Sequence, residues 1–456
     1  MDQLRHRAWA LFGCTGKYHR ARSTAVGGYR GVSVIGLAFL LAQPAPACPP
    51  TWVQRVPNVN GPIDALTVLS DGSLIATGGF TMAGSVAAHQ IARYQPATKT
   101  WTALAASGVA ASPVNGILAL LPLGGGDFVV GSAFDNITNP ASNAIASYDP
   151  AQGWSILGTG IHDHDNAVYA LAALPGGDLI VGGSFSAAGG VAANNIARYS
   201  PSTQEWTPLG SGVNGHVYSL LTLPNGDVVV GGGFNSADTV AADSLARYSP
   251  STGAWSSLGS DLSGGFVYAL ATVSNGDLIA GGDFLINGQT IRGIARYNAI
   301  LNTWSALGAG IGGSVKALAT LPSGDLVVGG GFWVNGQSSV GGIAIFDPIT
   351  NSWSGVGSGI NGYVNALAVL SNGEVAVGGS FSGLNTGPAD FAIWTTVPSC
   401  PGDFNCSGKV TAQDIFDFLA AWFDGTYPAA DFNGDGHITV LDIYDFLAAW
   451  FTPCNS

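Results

Sequence analysis

The chain has 456 residues, of which 67 are glycine and only 9% are charged. This composition is too apolar for a disordered chain, and the length suits one large β domain with a small second domain. Six of the 15 basic residues precede Cys48 but only one of the 28 acidic residues does, so the chain from Cys48 onward carries 9 basic and 27 acidic residues. That acidity argues against nucleic acids and anionic membranes as partners, because both require clustered lysine and arginine.

The first 47 residues predict an export signal. Residues 32–42 (VSVIGLAFLLA) form an apolar run behind a basic region, and Ala45-Pro46-Ala47 follows as a small-residue cleavage site. The run is too short to span a bilayer as a helix. We therefore expect residues 1–47 to be removed and the protein to be secreted or held at the cell surface, with lipid attachment at Cys48 as a less favoured alternative.

Seven copies of one pattern fill the chain from residue 52 to residue 396. The clearest copy, residues 217–255, contains two apolar runs around a Pro-Asn-Gly-Asp turn, then consecutive glycines, a loop, a Leu-Ala-Arg-Tyr segment and a segment that begins near Trp255. This order predicts four short strands, of which the first two form a hairpin. Two aromatic residues mark the copies: Phe80, Phe134, Phe185, Phe234, Phe284, Phe332 and Phe381 after the glycines, and Trp101, Trp154, Trp206, Trp255, Trp304 and Trp353 in the fourth strand.

A unit of four strands and about fifty residues indicates an all-β propeller blade rather than a helical or leucine-rich repeat. The seventh copy ends after Trp394 without a fourth-strand tryptophan. Trp52, however, stands 11 residues before the apolar run that begins at Ile63, and Trp206 likewise stands 11 residues before the run that begins at Val217. We therefore predict a seven-bladed β-propeller over residues 48–396, in which the N-terminal strand at Trp52 completes blade seven and covers an otherwise open edge.

The repeat resembles the blades of kelch and galactose-oxidase-type propellers, and more closely the bacterial propeller repeats known as delta-60. The features that carry this resemblance are the apolar run, the glycine pair, the tryptophan and the tyrosine before it, namely Tyr94, Tyr148, Tyr199, Tyr248 and Tyr297. The resemblance spans about residues 52–396. It implies the fold and not an activity, because propellers carry unrelated functions.

Two matching segments predict a small α-helical, calcium-binding domain over residues 397–456. Residues 403–414 (DFNCSGKVTAQD) and 431–442 (DFNGDGHITVLD) place oxygen-bearing side chains at loop positions 1, 3, 5 and 12 and glycine at position 6, and each precedes a similar helix. Hard cations require this arrangement, in which position 7 contributes its backbone carbonyl. A turn that only caps a helix would explain one such loop, but two in register favour two calcium ions. The predicted ligands are Asp403, Asn405, Ser407, Lys409, Thr411 and Asp414, and Asp431, Asn433, Asp435, His437, Thr439 and Asp442.

This duplicated, EF-hand-like loop and helix resembles a type I dockerin. In that family the module folds with calcium and binds a cohesin, commonly to tether carbohydrate-active enzymes. The match covers residues 400–454, but Ala412-Gln413 and Val440-Leu441 stand where cellulosomal dockerins often carry a Ser-Thr pair. The resemblance therefore implies a cohesin-like or another surface receptor. The helix residues expected to divide between a small core and a partner surface are Phe416, Leu419, Trp422, Tyr444, Leu447 and Trp450.

Four of the five cysteines follow the cleavage site: Cys48, Cys400, Cys406 and Cys454. Four cysteines allow three pairings, and an exported protein permits disulfides. We expect Cys400 to pair with Cys454, because these two bracket the C-terminal domain.

On the propeller, the loops between second and third strands and the connections between blades open on one face, which is the default ligand site. The carboxylates of this face are Asp135, Asp238, Asp243, Asp261 and Asp390. A glycosidase needs two carboxylates that face each other across a sugar, whereas a single aspartate per loop more often bonds turn amides. Trp333 and Trp394 lie outside the tryptophan register, and Trp333, in a face loop, is the better candidate for stacking a ligand. The repeated phenylalanines and tryptophans are predicted to be core residues, because they recur at structural positions.

The connection into blade three is two residues longer than the others and is rich in metal-binding side chains: His162, Asp163, His164, Asp165 and Asn166. Histidine with carboxylate can hold a transition metal. A solvated loop is the favoured alternative, because the two histidines alternate along the chain and need not converge.

Three hypotheses about function follow. The favoured one is an exported, non-catalytic binding or scaffold protein, in which a calcium-dependent module displays a propeller that binds carbohydrate or protein. The second is a secreted carbohydrate-active enzyme that cleaves glycosidic bonds on the propeller face, and the third is a cell-surface structural protein. No catalytic residue is predicted, because the blades contain neither the cysteine of a copper-radical oxidase nor a sialidase Asp-box.

Overall fold

The computed structural model describes residues 51–52, 57–88, 90–104, 116–133, 144–161, 167–259, 262–273, 275–286, 292–334, 337–356, 360–382, 390–395, 404, 410–424, 430, 432 and 438–451. The predicted export signal, the four cysteines of the exported chain and residues 162–166 lie outside these ranges.

The chain from residue 51 to residue 395 forms seven antiparallel blades of four strands each, so the predicted seven-bladed β-propeller is confirmed. From the first to the fourth strand the blades consist of Ile63–Val68, Leu74–Gly78, Ile91–Gln95 and Thr100–Ala103 (blade 1); Ile117–Gly124, Asp127–Ser132, Ile145–Asp149 and Gly153–Ile156 (blade 2); Ala167–Ala173, Leu179–Ser184, Ile196–Ser200 and Glu205–Pro208 (blade 3); His216–Thr222, Val228–Gly233, Leu245–Ser249 and Ala254–Ser257 (blade 4); Leu262–Thr272, Leu278–Ile286, Arg292–Asn298 and Thr303–Ala306 (blade 5); Ile311–Thr320, Leu326–Val334, Gln337–Asp347 and Ser352–Gly355 (blade 6); and Asn361–Val369, Val375–Ser382, Phe391–Thr395 and Thr51–Trp52 (blade 7).

Short hairpins that the repeat pattern did not predict lie between the second and third strands of three blades. They pair Met82–Ala83 with Val86–Ala87 in blade 1, Ala187–Ala188 with Val191–Ala192 in blade 3, and Ser236–Ala237 with Val240–Ala241 in blade 4. Blades 5 and 6 have longer strands instead, and one pairing of Arg292 with Ile311 joins the two sheets.

Blade 7 is assembled from two distant parts of the chain. Thr51–Trp52 pairs antiparallel with Phe391–Thr395, and Trp52 lies opposite Trp394. The N-terminal strand therefore occupies the fourth-strand position of this blade. The first strands of blades 7 and 1 contact each other, as those of every other neighbouring pair do, so the ring is closed.

The glycine pairs of blades 3 to 7 are explained by the joints between blades. A Cβ at Gly281 would lie 2.5 Å from Cγ1 of Val315 in the next blade, and one at Gly231 would lie 2.7 Å from Cγ1 of Val267. The β-branched residue of the next first strand thus fills the space that glycine leaves, and a larger side chain would clash in this close-packed joint. The second glycine of the pair faces the backbone of its own first strand, as Gly183 does at Ala167.

The fourth-strand tryptophans join neighbouring blades from within the core. Five of them donate Nε1–H to a backbone carbonyl just after the fourth strand of the preceding blade: Trp101 to Pro57 (2.7 Å), Trp206 to Leu157 (3.3 Å), Trp255 to Leu209 (3.0 Å), Trp304 to Leu258 (2.6 Å) and Trp353 to Leu307 (3.1 Å). These rings are buried, as are the described phenylalanines that follow the glycines, which confirms their prediction as core residues.

Two helices lie near the C-terminus, α1 (Ala412–Asp424) and α2 (Val440–Trp450). Phe418 of α1 and Phe446 of α2 are fully buried, and their rings stack with centroids 4.3 Å apart. Neither these helices nor any other described segment provides a helix long and apolar enough to cross a membrane.

Candidate functional site

Every first strand carries a β-bulge at the same position. The bulge residue directly follows the buried valine or isoleucine that fills the joint between blades. It has no paired residue on the second strand. The seven bulge residues, which we call the channel ring, are Asp64, Leu118, Tyr169, Tyr218, Tyr268, Lys316 and Asn365. Because a bulge re-aims its side chain and the first strands surround the axis, the ring lines the central channel. The blades share this geometry but differ in the residue that they place there.

Aromatic side chains occupy one side of the channel, in blades 3 to 5. Ring centroids of Tyr169 and Tyr218 lie 5.3 Å apart, and those of Tyr218 and Tyr268 also lie 5.3 Å apart. His216 and Phe266, two positions before a bulge, lie 5.9 Å and 6.0 Å from Tyr218 and are more exposed. We call these five residues the aromatic arc. Burial raises the pKa values of Tyr218 and Tyr268, so their hydroxyls are neutral hydrogen-bonding groups at physiological pH.

Polar side chains occupy the other side, in blades 6, 7 and 1. The Lys316 Nζ lies 3.2 Å from the centroid of the Tyr268 ring, a cation–π contact that places the ammonium at the junction of the two sides. Desolvation lowers the pKa of Lys316, and the nearby negative charge of Asp283 opposes this shift. Asn365 Nδ2 donates to the Ile63 carbonyl across the joint between blades 7 and 1 (3.1 Å).

Asp64 is the acidic member of the channel ring. Its carboxylate lies over Gly116 of blade 2, where a Cβ would be only 2.7 Å from Oδ2. Burial raises the pKa of Asp64 from its usual 3.8 to about 6. The carboxyl is therefore partly protonated just below neutral pH, and a side chain at position 116 would require Asp64 to move.

The face carboxylates predicted from the sequence have separate environments. Asp238 accepts hydrogen bonds from the side chain and the backbone of Ser211 (2.6 and 3.2 Å), and these bonds lower its pKa. This is the loop-stabilising role that the sequence favoured for single aspartates. Asp243 is exposed, and desolvation raises the pKa of the partly buried Asp390. Asp135 and Asp261 lie outside the described residues.

The two tryptophans outside the fourth-strand register also differ. Trp333 ends the second strand of blade 6 and is 59% exposed, with its indole in the space over Gly312. Trp394 is fully buried and takes the place that tyrosine has in blades 1 to 5 and Phe346 has in blade 6, opposite the fourth-strand tryptophan. Trp333 thus remains available to a ligand, whereas Trp394 belongs to the core.

Sequence reasoning missed the channel ring, because it searched the loops of the propeller face and not the inner strands. The signal was present in the residue after each β-branched first-strand position. At that place the copies read Asp64, Tyr218 and Lys316, among others, within an otherwise repeated frame. When the residue type at one position varies between copies while the surrounding sequence repeats, packing does not fix that position.

In the C-terminal domain the structure describes Thr411, Asp414, Thr439 and Asp442 among the predicted calcium ligands. Asp414 and Asp442 are fully buried in the first turns of α1 and α2, and the Oδ2 atom of each accepts the backbone N–H of the threonine three residues earlier (2.7 Å in both). The remaining eight predicted ligands lie outside the described residues. Among the residues that are described, no cluster of three or more histidine, cysteine or acidic side chains is placed to hold a metal.

The two helices are tied together by reciprocal hydrogen bonds. Trp422 Nε1 of α1 donates to the Thr439 carbonyl before α2 (2.7 Å), and Trp450 Nε1 of α2 donates to the Thr411 carbonyl before α1 (2.9 Å). Leu419 and Leu447 pack with these tryptophans against the small core. The other two predicted helix residues, Phe416 and Tyr444, are 60% and 65% exposed.

These features define a seven-bladed β-propeller with a lined central channel and a pair of C-terminal helices. Residues 222–323 and 306–399 match the family described as the Rax2 C-terminal beta propeller domain, and residues 175–202 match a beta-propeller domain of unknown function, DUF5122. No curated protein matches the sequence.

Solved structures share the fold at low identity. A chain of the Mitotic Checkpoint Complex is 12% identical with a TM-score of 0.52, over 83% of this chain and 99% of that one. The structure of U3-55K is also 12% identical, with a TM-score of 0.50, over 74% of this chain and 97% of that one. The extracellular domain of a hybrid two component system from B. thetaiotaomicron is 15% identical with a TM-score of 0.45, and the match spans 77% of this chain but only 40% of that larger one. Such likeness shows the fold alone.

Proposed function

We propose that the protein is an exported binding protein, whose propeller holds a ligand at the mouth of its central channel. The channel ring is the observation that carries this proposal. Seven structurally equivalent positions present one carboxyl, one amide, one ammonium, three phenols and one aliphatic side chain. A concave, mostly apolar site with a few convergent polar groups is the usual form of a small-ligand site.

One observation favours the second candidate, a carbohydrate-active enzyme. A carboxyl with a pKa of about 6, such as Asp64, suits a general acid. Glycoside hydrolysis usually needs a second carboxylate across the sugar, and the seven ring positions, all of which are described, contain no other. We therefore favour binding without catalysis. Release of reducing sugar by the wild type that disappears in Asp64→Asn would establish the enzyme instead.

We further propose that the C-terminal domain binds two calcium ions and attaches the propeller to a receptor on a surface. The support is the pair of matched oxygen-rich loops, together with the buried Asp414 and Asp442 at the position where each loop meets its helix. Calcium would supply the charge that balances these acidic loops. Because such sites do not exist in the unfolded chain, the energy of binding is also energy of folding.

The two loops should differ in affinity. The second offers three carboxylates, at Asp431, Asp435 and Asp442, whereas the first offers two, at Asp403 and Asp414. Because affinity follows ligand charge and rigidity, we expect the second loop to bind first as calcium rises. Chelation should remove helical circular dichroism while the propeller stays folded.

Calorimetric titration of the chain from Cys48 with calcium tests this proposal. Asp435→Ala should remove the tighter event and Asp403→Ala the weaker one. Asp417→Ala is the matched control, because Asp417 lies on α1 three residues beyond the first loop and is not among the predicted calcium ligands. Absence of any calcium-dependent heat in the wild type would refute the calcium-dependent attachment, and loss of the weaker event in Asp435→Ala would reverse the assignment of the two sites.

A further inference from the structure

The aromatic arc presents ring faces at a spacing that suits a flat ligand. Three tyrosines follow one another at 5.3 Å across three blades, and successive planes are tilted by 44° and 52°. Phe266, which is 42% exposed, forms the rim and packs over Gly233 of the preceding blade. The five arc side chains are partly buried or exposed, so their rings form a wall that a ligand can reach rather than a close-packed core.

The polar groups beside this wall are hydrogen-bonding partners for hydroxyls. The Lys316 ammonium has three donors, and no described carboxylate lies within ion-pair distance of it, because the ion pairs among the described residues all involve arginine. The hydroxyls of Tyr218 and Tyr268 both donate and accept. A half-buried ammonium over a ring, next to neutral phenols, is well placed to bond a neutral oxygen-rich ligand.

Charge decides between neutral and anionic ligands. The described charged groups around the mouth are Lys316, Asp283 and Asp64, so the mouth is neutral when Asp64 is protonated and carries one negative charge when it is ionised. The exported chain as a whole is strongly acidic. The acidic protein would therefore repel a polyanion on approach, whereas the Lys316 ammonium would repel a cation at the mouth.

We infer that the aromatic arc is a subsite for a neutral sugar, whose C–H face stacks on Tyr218 and Phe266 while its hydroxyls bond Lys316 and the tyrosine hydroxyls. This inference rests on the proposed binding function of the channel mouth. A pyranose combines an apolar face with a rim of hydroxyls, which matches a wall of rings beside polar donors.

The experiment uses the chain from Cys48 in calorimetric titrations with neutral gluco-, manno- and xylo-oligosaccharides and with oligogalacturonate. At least one neutral ligand should bind, and Tyr218→Ala should weaken it by roughly tenfold or more. Phe266→Ala, a rim change that leaves the inner wall intact, should weaken it in the same direction. Tyr218→Phe keeps the stacking face and should cost only a fewfold loss. Ile349→Ala, at an exposed turn of blade 6, is the matched control, and Trp333→Ala tests the competing stacking position outside the arc.

The outcomes separate the ligand class from the binding function. Loss of sugar binding in Trp333→Ala but not in Tyr218→Ala or Phe266→Ala would overturn the arc as the subsite and leave a binding function elsewhere on the face. Tighter binding of oligogalacturonate that is lost in Lys316→Met would overturn the neutral class and keep the channel site. If none of these glycans binds, the sugar inference is wrong. A ligand of another class whose binding depends on Tyr218 would then still support the proposed function.

Discussion

Blades 4 and 7 have the same four-strand order but are built differently. Blade 4 comes from one continuous segment, and Trp255 Nε1 of its fourth strand donates to the Leu209 carbonyl of blade 3. Blade 7 takes a two-residue fourth strand from the start of the propeller. Its paired tryptophans, Trp52 and Trp394, have buried Nε1 atoms without a hydrogen-bond partner in the structure as described.

In the structure as described, the joint between blades 6 and 7 therefore lacks the tryptophan hydrogen bond that five other joints use, one of which is the joint between blades 7 and 1, where Trp101 donates to the Pro57 carbonyl. Phe391 of blade 7 lies 5.0 Å from Trp101 and 5.3 Å from Tyr94 of blade 1, so aromatic contacts span the joint between these two blades. Buried N–H groups without partners usually cost free energy. Blade 7 should therefore be the least stable part of the ring.

Removal of the closing strand should have the largest effect. A chain that begins at Gly61 instead of Cys48 lacks Thr51–Trp52 and also the Pro57 carbonyl that accepts from Trp101. We expect the free energy of unfolding to fall by about 5 kcal/mol or more and the protein to aggregate through the exposed edge. Denaturant unfolding and light scattering measure both effects. An unchanged midpoint in the shorter chain would contradict closure by the N-terminal strand.

A matched pair of tryptophan substitutions separates the two kinds of joint. Trp255→Ala should cost about 3 to 5 kcal/mol, because it removes a buried ring and leaves the Leu209 carbonyl without its donor. Trp52→Ala should cost about half as much, because Trp52 is only partly buried and forms no such bond. Equal shifts of the chemical midpoint would show that the hydrogen bond contributes nothing to the joint.

Asp64, next to the seam in blade 1, should make stability depend on pH. A carboxyl whose pKa is raised on folding favours the folded state while it is protonated. That contribution is fully present below about 3.8 and is lost as pH rises through about 6. Asp64→Asn should therefore stabilise the protein by up to about 3 kcal/mol at pH 7.5 and change little at pH 3.5. The exposed Asp243 provides the control, as Asp243→Asn should leave the pH profile of the unfolding midpoint unaltered.

The smallest effect is expected at the inner side of the seam. Asn365→Ala removes the bond to the Ile63 carbonyl that connects blade 7 to blade 1 and should cost about 1 kcal/mol. Tyr218→Ala at the equivalent ring position of blade 4 is the comparison, and we expect it to affect ligand binding more than unfolding. Thermal unfolding of the two variants side by side tests this, and a larger loss of stability for Tyr218→Ala would mean that the arc is structural.

The repeat was predictable because its period is carried by residues with fixed packing roles. Gly281 must be small since Val315 fills its place, and Trp255 must reach the carbonyl of the preceding blade. Such constraints recur in each copy and can be counted in the sequence. The small hairpins of blades 1, 3 and 4 were not predictable in this way, because two-residue strands leave no periodic pattern.

The channel site was harder to predict for the opposite reason. Whether Tyr218 or Lys316 faces the axis depends on a bulge, which is a feature of hydrogen-bond register and not of hydrophobic pattern. Near the C-terminus the sequence predicted both helices but placed Asp414 and Asp442 at the ends of the preceding loops, whereas they lie in the first turns of α1 and α2. The reciprocal bonds of Trp422 and Trp450 depend on the pairing of the two halves, and neither half alone contains that information.

The closing strand also constrains the order in which the protein can fold. Asn58 accepts the Phe391 backbone N–H across 333 positions of the chain. Loop-closure entropy adds only about 0.6 kcal/mol for each doubling of loop length. The long separation therefore lowers the free energy of unfolding only slightly, but it makes the contact slow to form. During synthesis Thr51–Trp52 has no partner until the third strand of blade 7 exists. A newly made chain therefore carries an unpaired strand at one end and an unpaired edge at the other, and at high concentration two such chains can exchange these strands to give a domain-swapped dimer.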